Sequence, residues 1–259
     1  MKLKFYKYHG TGNDFIMIDG MTSPVNFDIL TRDKIANLCH RRFGIGADGL
    51  IILSPSKNHE FKMIYFNSDG NESTMCGNGA RCLIKFASDL GHISKKCTFE
   101  AIDGLHEGIV GDLISVKMID VLNVATFDKD FVIDTGSPHY VKFVDKLDYD
   151  GFIKDAKSIR HNDTFDKEGI NVNFVKIVDD GLEMRTFERG VEDETYSCGT
   201  GVVAAALVSH YADSEIGNDI SVLTKGGELN VKFDRNVEKF ENIWLTGPAI
   251  KTFSGVIED

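Results

Sequence analysis

The chain has 259 residues, 42% of them hydrophobic and 27% charged, and a formal net charge of -11. That length suits two ordinary domains or one large one, and the apolar share supports a packed core. The acidity, with no basic cluster, argues against nucleic acid and anionic membrane surfaces as partners, but leaves room for a small anionic substrate held by local positive groups.

In chain order, the N-terminal "MKLKFYKYHG" lacks the apolar core of a signal peptide. "KLKFYKYH" and "DFIMID" are rich in aromatic and branched residues and predict strands. "TRDKIANLCHRRF" predicts a helix capped by Thr31. "LIIL" and "FKMIYFN" predict strands, and a helix follows "MCGNGARC", with Ala80, Leu83, Ile84 and Ala87 at helical spacing. "CTFEAID", "LHEGIV" and "LISVKMI" close the first half as strands. The second half runs through strands "FVIDT" and "YVKFV", a helix near 150–160, and strands "NVNFVKI" and "LEMRTFE". A helix after "SCGTG" and strands "DISVLT", "ELNVKF" and "NIWLTG" complete it. The helix "GVVAAALVSHY" is apolar nearly all round, which predicts burial, yet the run is too short to span a membrane.

The two halves echo each other. "GNDF" (12–15) corresponds to "GSPH" (136–139), "GADGLIIL" (46–53) to "INVNFVKI" (170–177), "KMIYFN" (62–67) to "EMRTFE" (183–188) and "ESTMCGNG" (72–79) to "ETYSCGTG" (194–201). The four matches keep one order, at offsets of 121 to 124 residues, which implies two homologous halves. The expected fold class is α/β of the α+β type, with each half a mixed, barrel-like sheet wrapped around a central helix.

Each central helix begins just after a cysteine, Cys76 or Cys198. The first N–H groups of a helix lack partners within it and the dipole is positive there, so a thiolate gains stability and its pKa falls from roughly 8.5 toward neutrality. The N–H groups of Gly77, Asn78, Gly199 and Thr200 are placed to hold a carboxylate. For one such cysteine alone, a small buried thiol beside a capping glycine is the preferred explanation, because free cysteine is among the most buried residue types. Two at equivalent places suggest a pair flanking one ligand. Inverting a carbon that bears hydrogen needs one group to remove a proton from one face and a second, of similar acidity, to return one to the other. The five cysteines, Cys39, Cys76, Cys82, Cys97 and Cys198, are odd in number; without a secretion signal they read as free thiols in a reducing cytoplasm.

The motifs "HGTGNDF" (9–15), "GIGADG" (44–49), "FNSDG" (66–70), "MCGNGARC" (75–82), "INVNF" (170–174), "FERGVEDET" (187–195) and "SCGTG" (197–201) together resemble the diaminopimelate epimerase family over essentially the whole chain. The resemblance implies a cofactor-independent, metal-free enzyme, usually a homodimer, that interconverts LL- and meso-diaminopimelate on the lysine and peptidoglycan route. It implies a half over 1–119 carrying Cys76, with the C-terminal strand 249–259 a candidate addition to it. A half over 120–248 carries Cys198, and the substrate lies between the halves. Cys76 and Cys198 correspond to the acid/base pair, Cys76 the donor and Cys198 the acceptor in one direction. Asn13, Asn67, Asn171 and Arg189 correspond to residues gripping the distal amino-acid end. Gly77–Asn78 and Gly199–Thr200 match the cradle for the reacting carboxylate. Glu188 and His139 match residues supporting catalysis. Many relatives carry Asn where this chain has Ser137, and some carry Gln at the position of Gly49, so no ligand role passes to either.

Other readings compete. Arg189 beside Glu188 also fits a surface ion pair, Asn13, Asn67 and Asn171 fit turn residues, and His139 after Pro138 fits a structural histidine. "GIGADG" matches G-x-G-x-x-G and raises a nucleotide-binding module through Gly44–Gly49, but a helical pattern precedes it and a strand follows, the reverse of a dinucleotide site. The eight histidines are scattered and no cysteine pair has zinc-finger spacing. The nearer alternatives are sister enzymes: proline racemase, hydroxyproline epimerase and the phenazine-type isomerase.

Overall fold

The structure is a computed structural model that describes residues 2–237 and 239–258. It divides into two compact units, Met1–Val116 with Gly247–Asp259, and Lys117–Thr246.

The first unit contains strands β1 (Lys2–Gly10), β2 (Asn13–Asp19), β3 (Gly49–Ser54), β4 (Phe61–Asn67), β5 (Lys96–Ala101), β6 (Gly104–Val110) and β7 (Ile114–Lys117), with helices α1 (Arg32–Cys39) and α2 (Gly77–Asp89). The second contains β8 (Val124–Phe127), β9 (Asp130–Asp134), β10 (Pro138–Phe143), α3 (Phe152–Arg160), β11 (Asn171–Val178), β12 (Gly181–Glu188), β13 (Asp193–Thr195), α4 (Gly199–Ala212), β14 (Asp219–Thr224), β15 (Gly227–Arg235) and β16 (Phe240–Gly247). The last strand, β17 (Ile250–Glu258), returns to the first unit and pairs antiparallel with β1.

The pairing pattern is the same in both units. In the first, β1 is antiparallel to β2, β2 parallel to β3, β3 antiparallel to β4, β4 parallel to β5, and β5, β6 and β7 follow antiparallel. In the second, β9, β10, β11, β12, β14, β15 and β16 repeat those relations in that order. The strand β8 stands to β9 as β17 stands to β1. An isolated bridge, Phe66 to Glu72, precedes Cys76 just as the Phe187–Glu194 pair of β12 and β13 precedes Cys198.

Strand register corrects one of the sequence correspondences. Phe15 pairs with Gly49 and His139 pairs with Asn171; Ile51 pairs with Tyr65 and Asn173 with Thr186. Gly49 therefore corresponds to Asn171 and Ile51 to Asn173, an offset of 122 (171 − 49), not the 124 expected for that stretch. Backbone pairing decides the match, because both segments are short apolar runs that align almost equally well two residues apart.

Each unit packs around its second helix. The helix α2 lies against β1, β2, β3, β6 and β17, and α4 against β9, β10, β11, β12, β14 and β15. From Val202 to Ser209, α4 is fully buried, as its all-apolar sequence requires. The helix α1 is shorter than its sequence pattern. It starts at the Thr31 cap, whose hydroxyl accepts from Lys34 N–H, and ends at Cys39. Beyond it, Ile45 and Gly46 N–H turn back onto the Leu38 carbonyl, with Gly46 at φ +79. The short strands β8 and β13 carry no strong alternation and were absent from the sequence expectation, whereas β17 falls on the C-terminal strand expected over 249–259. Among the described residues, no helix is long and apolar enough to cross a membrane.

Candidate active site

Cys76 occupies the N-cap position of α2 with extended backbone, φ -105 and ψ 126, and Cys198 the same position of α4, φ -117 and ψ 112. The first intrahelical bonds run from Ala80 N–H to the Cys76 carbonyl and from Val202 N–H to the Cys198 carbonyl. The N–H groups of Gly77, Asn78, Gly199 and Thr200 thus lie in the first turns, ahead of the helical ladder. The second glycine of each motif lets the helix approach the sheet. A Cβ on Gly79 would meet Ile51 Cδ1 at 2.9 Å, and one on Gly201 would meet Asn173 Oδ1 at 2.7 Å.

Around Cys76 the polar groups form a chain. Asn13 Nδ2 donates to Asp48 Oδ2 at 2.7 Å, which leaves Asn13 Oδ1 to accept from Asn78 Nδ2 at 3.3 Å and from the Cys76 thiol at 3.7 Å. Asp48 is held in turn by Arg41, whose guanidinium also binds Asp14. Burial opposes ionisation of Asp14, yet hydrogen bonds from Arg41 and Lys7 outweigh it and hold that carboxyl below its usual value. Arg81, fully buried, joins the same chain by donating to Asn78 Oδ1 at 2.8 Å. Burial pulls its guanidinium down to about 10, with the neighbouring thiols of Cys82 and Cys76 acting the other way, so it remains a cation at neutral pH.

Around Cys198 the partners differ. Thr200 Oγ1 lies 3.5 Å from the sulfur and 2.9 Å from His139 Nε2, and the Thr200 carbonyl accepts from Thr135 Oγ1 at 2.8 Å. His139 is fully buried; burial, and then the charge of Arg189, pull its pKa down to about 3. The imidazole is therefore neutral at physiological pH.

A third cluster sits at the ends of β10, β11 and β12. Asn171 Nδ2 donates to Ser137 Oγ at 2.9 Å and to the Pro138 carbonyl at 3.0 Å, while Asn171 Oδ1 accepts from Arg189 N–H at 2.9 Å. The exposed Arg189 guanidinium reaches the Glu168 carbonyl at 3.2 Å and Ser137 Oγ at 3.4 Å. Glu188 is half-buried at the end of β12, and its carbonyl accepts from Glu192 N–H. Asn67 is exposed at the end of β4, where its carbonyl and N–H close the Asn67–Asn71 turn.

Within the first unit the fold brings Asn13, Gly77 and Asn78 to Cys76. Within the second it brings His139, Gly199 and Thr200 to Cys198, and joins Asn171 to Arg189. Sequence reasoning gave no role to Asp48, Arg81, Ser137, Asn173 or Thr186. All lie inside or beside stretches already singled out; what was missing was the hydrogen-bond partner of each. Among the described residues no group of three or more His, Cys, Asp or Glu side chains is placed to hold a metal ion.

A sequence profile of diaminopimelate epimerase matches residues 5–112 and 131–252. The chain belongs to the diaminopimelate epimerase family. It is 46% identical to the diaminopimelate epimerase of Flavobacterium psychrophilum over 258 residues, covering 98% of this chain and 100% of that one. It is 42% identical to that of Chlorobaculum tepidum, over 96% and 98% of the two chains. Against that of Archaeoglobus fulgidus it is 34% identical, over 99% and 97%. Members of this family are amino-acid epimerases, isomerases by class. Solved structures similar in fold include a phenazine biosynthesis protein of the PhzF family from Bacillus anthracis, with TM-score 0.74 at 13% identity over the full length of both chains. A hydroxyproline epimerase from Agrobacterium vitis matches with TM-score 0.68 at 13% identity, over 99% of this chain and 92% of that one.

Against the diaminopimelate epimerase pattern, the structure accounts for Gly49. A Cβ there would come within 2.6 Å of both the Phe66 carbonyl and Tyr65 Cε2, so the Tyr65 ring fills the place a longer side chain would need. Ser137, the other departure, accepts hydrogen bonds from both Asn171 and Arg189.

Proposed function

We propose that this chain interconverts LL- and meso-diaminopimelate without a cofactor, with Cys76 and Cys198 exchanging a proton at one α-carbon. The observation that carries this reading is the duplication itself: one pairing topology, used twice, ends twice in a cysteine at the entrance of a buried helix. A single structural thiol has no reason to recur at that place. The other cysteines are inert by contrast: burial pushes the thiols of Cys39, Cys82 and Cys97 up to about 12.

In the proposed reaction a thiolate removes the α-proton, and the electron pair left behind spreads into the substrate carboxylate. The first-turn N–H groups of Gly77–Asn78 and Gly199–Thr200 hold that carboxylate as charge grows on it. The opposite thiol then delivers its proton to the other face, so the two sulfurs end with exchanged protonation states. His139 and Glu188 support the thiols. Asn13, Asn67, Asn171 and Arg189 hold the distal end, whose binding energy orients the reacting carbon. The reading extends to a cytoplasmic homodimer on the route to lysine and peptidoglycan precursors, with residues 1–119 and 120–248 as its two halves. Its support is the family pattern.

The test is incubation with LL-diaminopimelate in deuterated water. Meso product carrying deuterium at one α-carbon is the expected result. Absence of both epimer and deuterium, with rapid turnover of proline instead, overturns the reading.

A further inference from the structure

The strongest asymmetry between the two units lies beneath the two thiols. In the first unit, the three positions under the entrance of α2 are Phe15, Ile51 and Tyr65, all buried, with the Phe15 and Tyr65 rings edge to face at 6.0 Å. By register, the corresponding positions under α4 are His139, Asn173 and Thr186, also buried. The fold can thus fill this place with hydrocarbon. A buried polar trio costs desolvation and must be fully hydrogen-bonded to persist, so its presence calls for a reason beyond packing.

Its hydrogen bonds run in one direction. Thr186 Oγ1 donates to Asn173 Oδ1 at 3.0 Å. Asn173 Nδ2 has two hydrogens and two acceptors, the Tyr140 carbonyl at 3.0 Å and His139 Nδ1 at 3.1 Å. A flipped amide would set two carbonyl oxygens against each other at Tyr140, so the orientation is fixed. His139 Nδ1 is therefore an acceptor, and the neutral ring carries its hydrogen on Nε2, which donates to Thr200 Oγ1 at 2.9 Å. With the His139 N–H supplying one of its acceptor bonds, the Thr200 hydroxyl keeps its own hydrogen to give to Cys198 Sγ, 3.5 Å away, and a thiolate there can only accept.

We propose that Asn173 is a positioning residue for the Cys198 thiol: by fixing the tautomer of His139 it makes Thr200 a hydrogen-bond donor to the sulfur and so favours the thiolate at that position. A bond donated to the charged form stabilises it. At Cys76 the polarity is reversed, since Asn13, with its nitrogen taken by Asp48, offers that sulfur an acceptor. The proposal rests on the reading of Cys198 as a proton-transferring thiol, yet it concerns a property of the sulfur that is measurable without substrate. The depressed basicity of buried His139 agrees with it, because a protonated ring would point an N–H at the Asn173 amide hydrogens.

The experiment is alkylation of the full chain by iodoacetamide across pH 5 to 10, with each cysteine read separately by peptide mass spectrometry. Asn173→Leu and Thr200→Val are expected to move the Cys198 profile to higher pH by about one unit, a roughly tenfold slower reaction at pH 7. The Cys76 profile should stay in place, Thr200→Ser should restore the Cys198 profile, and kcat should fall while KM holds. Should Asn173→Leu not fold, the smaller Asn173→Ala reads the same link, because it removes the donor to His139 Nδ1. Unmoved Cys198 profiles in folded Thr200→Val and Asn173→Ala proteins overturn the proposal. A shift as expected in a protein that fails to epimerise diaminopimelate upholds the hydrogen-bond chain and overturns the epimerase reading alone.

Discussion

Asp48 Oδ2 takes the amide nitrogen of Asn13 at 2.7 Å, and this one bond decides which end of the Asn13 carboxamide faces the thiol of Cys76. Asp48 is itself half-exposed and tied to Arg41, and an ion pair of that kind contributes ~0–1 kcal/mol to stability. Asp48→Ala should therefore shift the melting temperature little while lowering kcat by roughly tenfold or more, as the amide loses its orientation. Paired melting curves and steady-state kinetics check this; a loss confined to stability speaks against an orienting role.

The five cysteines divide by environment. Cys39, Cys82 and Cys97 are buried, with thiols held near 12, whereas Cys76 and Cys198 are partly accessible at helix N-termini. Brief alkylation of the native protein at pH 8 should label only Cys76 and Cys198. Peptide mapping that finds Cys39, Cys82 or Cys97 labelled as fast would remove the basis for the thiol pair.

Replacing the sulfur of either proposed acid/base thiol by oxygen leaves a far weaker acid in its place. Cys76→Ser and Cys198→Ser should each lower epimerisation by about 10²–10⁴-fold, the usual span for loss of a positioned acid or base. Each variant should still exchange the substrate α-proton with solvent through its surviving thiol. Deuterium wash-in without inversion, followed by mass spectrometry and chiral separation, is the readout.

His139 makes stability depend on pH. Its ordinary value is 6.5, and burial followed by the charge of Arg189 lowers it to about 3 in the fold. Between those values the unfolded chain binds a proton that the folded chain does not, so stability is full above pH 6.5 and is lost as pH falls toward 3, by up to about 1.4 kcal/mol per unit. Denaturant midpoints should fall from pH 7 to pH 5, a window in which ordinary carboxylates stay ionised. In His139→Gln the fall should be smaller; an equal fall in both proteins excludes this histidine as its source.

Arg189 and Asn171 share Ser137 at the ends of β10 and β11, the cluster assigned to the distal end of the substrate. An ammonium cannot reproduce the paired N–H bonds of a guanidinium, so Arg189→Lys should lower kcat/KM by at least about tenfold. Lysine, which lacks the distal carboxylate, should not be epimerised. Measurable racemisation of lysine by the unaltered enzyme argues against the assignment.

The amino-acid sequence by itself determined a great deal here. Alternating and periodic apolar residues marked most strands and all four helices, because burial on one face leaves a pattern of period 2 or 3.6. The repeat of "CGNG" and "CGTG" marked both candidate thiols, because a helix entrance at close quarters with a sheet favours glycine at Gly79 and Gly201. Tertiary structure decided the rest. Register between strands moved the match of Ile51 from Val175 to Asn173, since pairing across a sheet is a property of two segments and neither carries it alone. The chain from Thr186 through Asn173, His139 and Thr200 to Cys198 joins residues from β10, β11, β12 and α4. A hydrogen bond has direction only once both partners are placed, so no spacing along the chain could reveal it.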